Sequence, residues 1–200
     1  MACVSVHGAN RLGGNSLLDL VVFGRAAGKH IERMLSDGIE QRSASQSDID
    51  MSLQRLNRLN DSSGGEDLVS LRVELQNVMQ NHFGVFRTGE FMKQGIDKLS
   101  GIGEQIKNVH LKDKSNTFNT ARIEALELEN LYEVAEATAI AAEARNESRG
   151  AHARDDFRER DDENWLCHSI YDPINKVVGK REVNFKPKTV DTFQPKIRTY

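Results

Sequence analysis

The feature that most constrains the fold is a series of apolar stripes at helical spacing, separated by short polar segments. Apolar residues three or four positions apart lie on one face of a helix, and that face needs a partner to bury it. The longest helix is predicted to open at Asn119 or Thr120 and to end at Gly150. Its apolar face is formed by Ile123, Leu126, Leu131, Val134 and Ile140.

A first helix is predicted near the start of the sequence. Asn15 or Ser16 can cap it, because their side-chain oxygens accept from free N–H groups of the first turn. It is predicted to reach about Leu35, with Gly38 as the stop. Small residues along it indicate a close approach to another backbone; they are Gly24, Ala27 and Gly28.

Three further helices are predicted between these two. Ser47 and Asp50 resemble a capping box and are predicted to open the second helix, which residues 61–65 end. The third helix is marked by Leu68, Leu71, Leu75 and Val78. Thr88 is predicted to cap the fourth, although three glycines within it each cost about 1 kcal/mol relative to alanine. These are Gly95, Gly101 and Gly103.

Antiparallel helices joined by loops of this length pack as an up-down bundle. The fold is therefore predicted to be mainly α, with an antiparallel, spectrin-repeat-like helical bundle over residues 46–150. Beyond the bundle, residues 165–171 are predicted as a strand, Asp172 starts a turn, and residues 180–185 form the return strand of a β-hairpin. Residues 186–200 are predicted as an extended tail.

The composition argues against several classes of function. The net charge of −3 gives no sign of a nucleic-acid partner. The longest apolar run, residues 17–23, is interrupted by Asp19 and falls short of the roughly 20 residues that cross a bilayer, so no direct membrane span is predicted. Cys3 and Cys167 have no cysteine nearby, and the carboxylates between residues 155 and 163 lack histidine partners, so no metal site is predicted.

The segment 7–20 carries the most distinctive chemistry. The planar guanidinium of Arg11 can grip a carboxylate with two charge-assisted hydrogen bonds. The glycine pair 13–14 lets the backbone approach a ligand closely. The N–H groups of Ser16 and Leu17 lie at a predicted helix start, where negative charge is stabilised. The segment is therefore a candidate site for an anion or a flavin edge; the alternative is a surface arginine in a tight turn.

Two histidines have open interpretations. His7 is either a ligand or proton-transfer group, or it satisfies a local hydrogen bond. His152 and Arg154, close to Arg149, are able to bind an anion, but a charged run of this kind favours a structural role or a partner contact.

Several long motifs resemble the flavoprotein subunits of the succinate dehydrogenase and fumarate reductase family, in the bacterial form of succinate dehydrogenase. The motifs appear in the family's order and extend from one end of the chain to the other. The resemblance implies that the chain is the C-terminal third of such a subunit. The segments that carry it are 2–27, 147–154, 160–168 and 195–200.

The resemblance also implies roles for particular residues. Arg11 matches the arginine that binds a carboxylate of the dicarboxylate substrate, and Ser16 and Leu17 match positions that contact FAD. Residues 1–45 are then the last loop and helix of a flavin-binding domain, and residues 151–200 the terminal hairpin and tail. The histidine that attaches FAD covalently and the proton-transfer arginine are expected outside this chain, so no catalytic residue is assigned within it.

The implied activity of the intact subunit is oxidation of succinate to fumarate, with electrons passed from FAD to an iron–sulfur subunit and quinone. Membrane anchor subunits are the further implied partners, and the implied location is peripheral, on the cytoplasmic face of a bacterial inner membrane. The chain alone is expected to be inactive. The alternatives are the flavoprotein of a fumarate reductase or L-aspartate oxidase, or an isolated helical interaction module.

Overall fold

A computed structural model of the chain describes residues 7, 11, 13–40, 42–186, 188–189, 191–192 and 196. The helices are α1 Asn15–Ser36, α2 Gln46–Asp61, α3 Leu68–Phe83, α4 Gly89–Ile106, α5 Thr120–Ala144 and α6 Asp162–Trp165. The strands are β1 Phe86–Arg87, β2 Ala153–Arg154, β3 Cys167–Asp172 and β4 Val177–Glu182. The predicted mainly α class, with a helical bundle and a β-hairpin, is confirmed.

The core lies between α3, α4 and α5, which run up, down and up. The end of α3 lies beside the start of α4, as the 2.8 Å distance between His82 Nδ1 and the carbonyl oxygen of Phe91 shows. The start of α3 lies beside the end of α4, where the Glu66 N–H donates to the Asn108 carbonyl. The buried side chains include Leu71, Leu75, Met92, Leu99, Ile102, Ala125, Leu128 and Ala139.

The first two helices stand largely outside this core. No residue of α1 is buried, and a Cβ added at Gly24 or Gly28 would meet nothing within 4 Å. The close backbone approach predicted for α1 is therefore not made within the described part of the chain. By contrast, α2 contributes the fully buried Leu59 and ion pairs from Arg55 and Arg58 to Glu129 on α5.

Two predicted helix starts are wrong. The N-cap of α1 is Gly14 and neither Asn15 nor Ser16, because Gly14 adopts a φ of +79° that turns the chain one residue earlier. The N-cap of α2 is Ser45 and not Ser47, because the Ser45 hydroxyl already accepts from the Asp48 N–H at 3.2 Å.

The other predicted caps are confirmed. Thr88 caps α4 by accepting from the Phe91 N–H at 3.3 Å, and Asn119 caps α5 by accepting from the Arg122 N–H at 2.9 Å. Gly38 ends α1 with a φ of +76°. Its N–H donates to Leu35, and the next N–H donates to Met34, which is the hydrogen-bond pattern of a Schellman turn.

The region after the bundle differs in detail from the prediction. Helix α5 ends at Ala144, six residues before Gly150, because Arg145 is extended and its guanidinium reaches the carbonyls of Trp165 and Cys167. Strand β3 starts two residues later than predicted, because the short helix α6 takes up residues 162–165. Strand β4 lies three residues earlier than predicted and pairs antiparallel with β3.

A parallel strand pair was not predicted from the sequence. Strands β1 and β2 pair Phe86 with Ala153 and Arg87 with Arg154. Each strand has only two residues, too few for an alternating pattern to be recognised. The pair ties the α3–α4 connection to the segment that follows α5.

Of the three glycines predicted to weaken α4, two are required by packing. A Cβ added at Gly95 would lie 2.5 Å from Phe83 Cε2, and one at Gly103 would lie 2.3 Å from the Tyr132 hydroxyl. At Gly101, which is exposed, an added Cβ would meet nothing within 4 Å. Gly95 therefore permits the close approach of α4 to α3, and Gly103 that of α4 to α5.

We expect Gly95→Ala to lower the free energy of unfolding by about 1–3 kcal/mol, because the new methyl group overlaps His82 and Phe83. The matched control Gly101→Ala should raise it by about 0.5–1 kcal/mol, because alanine favours an open helix position. Urea unfolding of the two variants checks both signs. Equal effects from the two substitutions would contradict the packing argument.

Candidate functional site

The glycine-rich loop and the start of α1 form the first candidate site. Gly14 turns the chain into α1 without a side-chain cap, and a Cβ added at Gly13 or Gly14 would meet nothing within 4 Å among the described atoms. The first-turn N–H groups of a helix carry partial positive charge and lack intrahelical acceptors. The N-terminal end of α1 therefore has the chemistry to receive an anionic group, and the described atoms leave space for it.

The structure places the three predicted site residues around this turn. Arg11 is exposed, three residues before Gly14. Ser16 is half-buried, and the side chain of Leu17 is 72% exposed. A flavin edge could lie on Leu17 without displacing any core residue. The geometry is compatible with the predicted roles.

A hydrogen bond joins His7 to the second turn of α1. His7 Nε2 lies 2.9 Å from Asp19 Oδ2, and the two side chains are only 22% and 24% exposed. Sequence reasoning considered His7 but missed its partner. The available signal was Asp19 itself, an isolated acid in an otherwise apolar run.

The second polar cluster contains Glu147, whose side chain is 0% exposed. Its carboxylate accepts from Arg145 at 2.5 Å, from Arg149 at 2.7 and 3.0 Å, and from the Asp161 N–H at 2.9 Å. Burial alone would raise the pKa of Glu147, but the bonds from Arg149, the Asp161 N–H and Arg145 outweigh it and hold the pKa below its ordinary value. Glu147 therefore remains a carboxylate that fixes two arginines.

The possible anion site at His152 and Arg154 has a structural role. The Arg154 side chain is 2% exposed and donates to the carbonyls of Glu143 and Arg145 at the end of α5. It also grips both carboxylate oxygens of Asp156, at 2.7 and 2.8 Å. The second of these oxygens accepts from the Gly89 N–H, so one pair joins the end of α5 to the start of α4.

His152 is held between two arginines. Its Nε2 lies 3.1 Å from the Arg145 carbonyl, and its Nδ1 lies 2.9 Å from an Arg87 nitrogen. Since Arg87 only donates, Nδ1 is the acceptor and Nε2 carries the hydrogen. Burial lowers the pKa of His152, and the charges of Arg87, Arg154 and Arg145 lower it further against the bond to the Arg145 carbonyl.

A third cluster docks the hairpin on the bundle. Glu136 on α5 accepts from Tyr132 at 2.8 Å, from Tyr171 on β3 at 3.0 Å and from Lys176 at 2.7 Å. Burial, and then the carboxylate of Glu136, raise the pKa of Tyr171 to about 12. Neither tyrosine ionises near neutral pH, so both act as permanent donors to Glu136.

Among the described residues, no group of three or more His, Cys, Asp or Glu side chains is placed to hold a metal ion. Within those residues, no helix has the length and apolar character needed to cross a bilayer.

Comparison with known proteins identifies the family. The family described as "Fumarate reductase flavoprotein C-term" matches residues 72–200. The succinate dehydrogenase flavoprotein subunit of Coxiella burnetii is 52% identical over 197 residues, covering 98% of this chain and 33% of that relative. The fumarate reductase flavoprotein subunit of Escherichia coli is 40% identical over 200 residues, covering 98% and 33%.

The fold comparison agrees. A solved structure of Escherichia coli quinol fumarate reductase superposes with a TM-score of 0.82 at 38% identity, covering 96% of this chain and 34% of that one. The chain therefore belongs to the succinate dehydrogenase and fumarate reductase flavoprotein family. It spans about a third of the length of the curated relatives that it matches.

The lowered pKa of His152 predicts how stability depends on pH. Neutral His152 contributes stability fully above its ordinary pKa of 6.5, and that contribution is lost as the pH falls toward its lower folded value. We expect the free energy of unfolding to fall as the pH drops below about 6.5, and His152→Gln to reduce this slope. Denaturant unfolding of both proteins at several pH values measures this slope.

The exposed His30 on α1 supplies the matched control. His30→Gln should leave the pH slope of the wild-type chain unchanged. An equal slope in wild type and His152→Gln would contradict the assignment of His152 as a buried neutral group.

Proposed function

We propose that the intact protein is the flavoprotein subunit of a succinate dehydrogenase, which oxidises succinate to fumarate with FAD. The observation that most supports this proposal is the placement of Arg11 beside the glycine turn at the start of α1. This arrangement puts a bidentate carboxylate donor within a few residues of a helix terminus that favours negative charge. The membership of the family supports the choice of a dicarboxylate as substrate.

Arg11 is proposed to bind one carboxylate of succinate. Its fixed fork holds that group in one plane, which orients the carbon chain between the two carboxylates. Binding of this kind acts in the ground state and the transition state alike, and it lowers KM while setting the position of the reacting carbons. Arg11 moves no proton in this scheme.

Ser16 and Leu17 are proposed to hold the flavin edge. When bound, FAD supplies two-electron oxidation by accepting a hydride. The N–H groups of Ser16 and Leu17 suit the ring because negative charge on it is stabilised at a helix N-terminus. Gly14 supplies no side-chain cap at this helix start, and the exposed Leu17 side chain offers an apolar surface.

The exposed face of α1 supports the inference that this chain works as one part of a larger subunit. Large apolar side chains on α1 are more than half exposed: Leu17, Leu18, Leu20, Val21, Val22, Ile31 and Leu35. Exposed apolar side chains in this number mark a contact with another protein surface. We assign that contact to the flavin-binding portion of the subunit.

The proposed partners follow from the same assignment. Electrons are proposed to pass from FAD to an iron–sulfur subunit and then to quinone, and membrane anchor subunits are proposed to complete the complex. The proposed location is peripheral, on the cytoplasmic face of a bacterial inner membrane. Fumarate reduction is the second candidate, favoured by the TM-score of 0.82 to the Escherichia coli fumarate reductase.

Arg11→Lys in the full-length subunit should lower kcat/KM for succinate roughly ten- to a hundredfold, because lysine cannot form the bidentate grip. The flavin content should stay unchanged. Steady-state succinate oxidation with an artificial electron acceptor measures the effect. Arg25→Lys, on the exposed surface of α1, is the matched control and should behave as wild type.

The 200-residue chain by itself is expected to bind neither FAD nor fumarate tightly, because the flavin-binding portion of the subunit is proposed to supply the other wall of the site. Titration of FAD, with and without fumarate, into the purified chain measures this by fluorescence and calorimetry. Tight binding of both ligands would overturn the division of the site between two parts of the subunit.

A further inference from the structure

The loop between α4 and α5 carries Phe118, whose side chain is 98% exposed. We infer that Phe118 is an anchor that inserts into an apolar pocket on the flavin-binding portion of the same subunit. This inference rests on the proposal that the chain is one part of a larger subunit. It adds to the contact assigned to α1 a second one, made by a single aromatic ring on the bundle.

The backbone of Phe118 has an unfavourable conformation. Its φ of +51° lies in the left-handed region, where the Cβ of a bulky residue crowds the following carbonyl oxygen. The ring is almost fully exposed, so contacts within the described chain do little to offset this cost. Bulky residues in this region are rare, and strained backbone of this kind concentrates at functional sites.

The neighbouring Asn119 fixes the loop from within. It is buried, and its side-chain amide donates to the carbonyls of Asp113 and Ser115 at 2.9 and 3.1 Å. The same side chain caps α5 through its oxygen. Phe118 therefore directly precedes a residue that is bonded on both sides, which restricts the positions of the ring.

Lys114 fixes the loop to the rest of the bundle. Its ammonium group donates to the carbonyl of the buried Leu59 at 2.7 Å and to the Ser62 hydroxyl at 2.8 Å, both near the end of α2. Its own carbonyl accepts from Arg122 on α5 at 3.3 Å. An exposed aromatic ring on a loop that is already ordered loses little conformational entropy on binding, which is the usual property of an interface anchor.

The size of the surface favours a partner within the same subunit. A stable contact between separate proteins buries about 800 Å² on each side, whereas one aromatic side chain buries about 200 Å². A tethered partner is met at high effective concentration, so a single anchor can hold it. The chain spans about a third of the length of its curated relatives, which leaves the larger part of the proposed subunit to supply the pocket.

Site-specific photocrosslinking in the purified full-length subunit identifies the occupant. The photoreactive residue 4-benzoylphenylalanine replaces Phe118 and keeps an aromatic ring at this position. After irradiation, mass spectrometry should find the crosslink to a peptide of the same polypeptide that lies outside these 200 residues. The matched control places the same residue at Ile174, which is 89% exposed in the turn of the β-hairpin, and should give little or no such crosslink.

The position of the crosslink decides between the possible occupants. A crosslink within the full-length subunit, formed without any other protein, supports the inference. A crosslink to a second copy of the subunit would overturn it, as would one that forms only after an iron–sulfur subunit is added. No crosslink from position 118 would overturn it as well.

Trypsin cleavage at Lys112 and Lys114 measures how much the ring contributes to docking, because Phe118 is not itself a trypsin site. In the full-length subunit, Phe118→Ala should speed this cleavage roughly thirtyfold, since loss of a buried aromatic anchor increases the undocked population by about that factor. In the separate 200-residue chain, the same substitution should change the rate by less than about twofold, because the exposed ring packs on nothing there. Ile174→Ala is the control and should have no effect in either form.

Two results of the cleavage experiment would contradict the anchor. Equal rates in wild-type and Phe118→Ala full-length subunits would show that the ring does not hold the contact. An equal acceleration in the separate chain would show that Phe118 supports its own loop. Neither measurement depends on activity, so a subunit that forms the crosslink but does not oxidise succinate would refute the proposed reaction and leave the anchor in place.

Discussion

The guanidinium of Arg154 is the contact on which the second half of the structure depends. The last carbonyls of a helix have no partners within the helix, and at the end of α5 this buried arginine supplies them. The same group binds Asp156, which accepts from the first N–H of α4, while Glu147 fixes Arg145 and Arg149 beside it. Removing the Glu147 carboxylate would therefore take from Arg145 and Arg149 the buried anion that they share, which is a costly change in the interior.

The chain has two parts that differ in whether their apolar side chains are buried within it. The bundle of α3, α4 and α5 buries its own apolar faces and carries the hairpin, which Glu136 docks through two tyrosines and a lysine. Helix α1 and its loop bury nothing in the described structure, yet they carry every residue proposed to meet substrate or flavin. The bundle therefore covers its own core, whereas the proposed site lies on the helix whose apolar side chains are exposed.

Sequence patterns predicted the helices well because apolar spacing and caps are local. Thr88, Asn119 and Gly38 were identified from neighbouring residues alone, whereas Gly14 displaced the expected cap through a left-handed conformation. The end of α5 was missed because it depends on Arg145 bonding to residues about twenty positions away. For the same reason Arg11 was identified by motif, while the pairing of His7 with Asp19 required the structure.

The exposed apolar face of α1 also has a colloidal consequence. A chain of these 200 residues in solution presents Leu18, Val21 and Leu35 to water on one long helix. Exposed apolar surfaces of two chains associate when no other partner covers them. The small net charge of −3 gives little electrostatic repulsion to oppose this association. We therefore expect the chain to self-associate more as its concentration rises. Co-expression with the proposed flavin-binding portion, which would cover α1, should suppress this self-association.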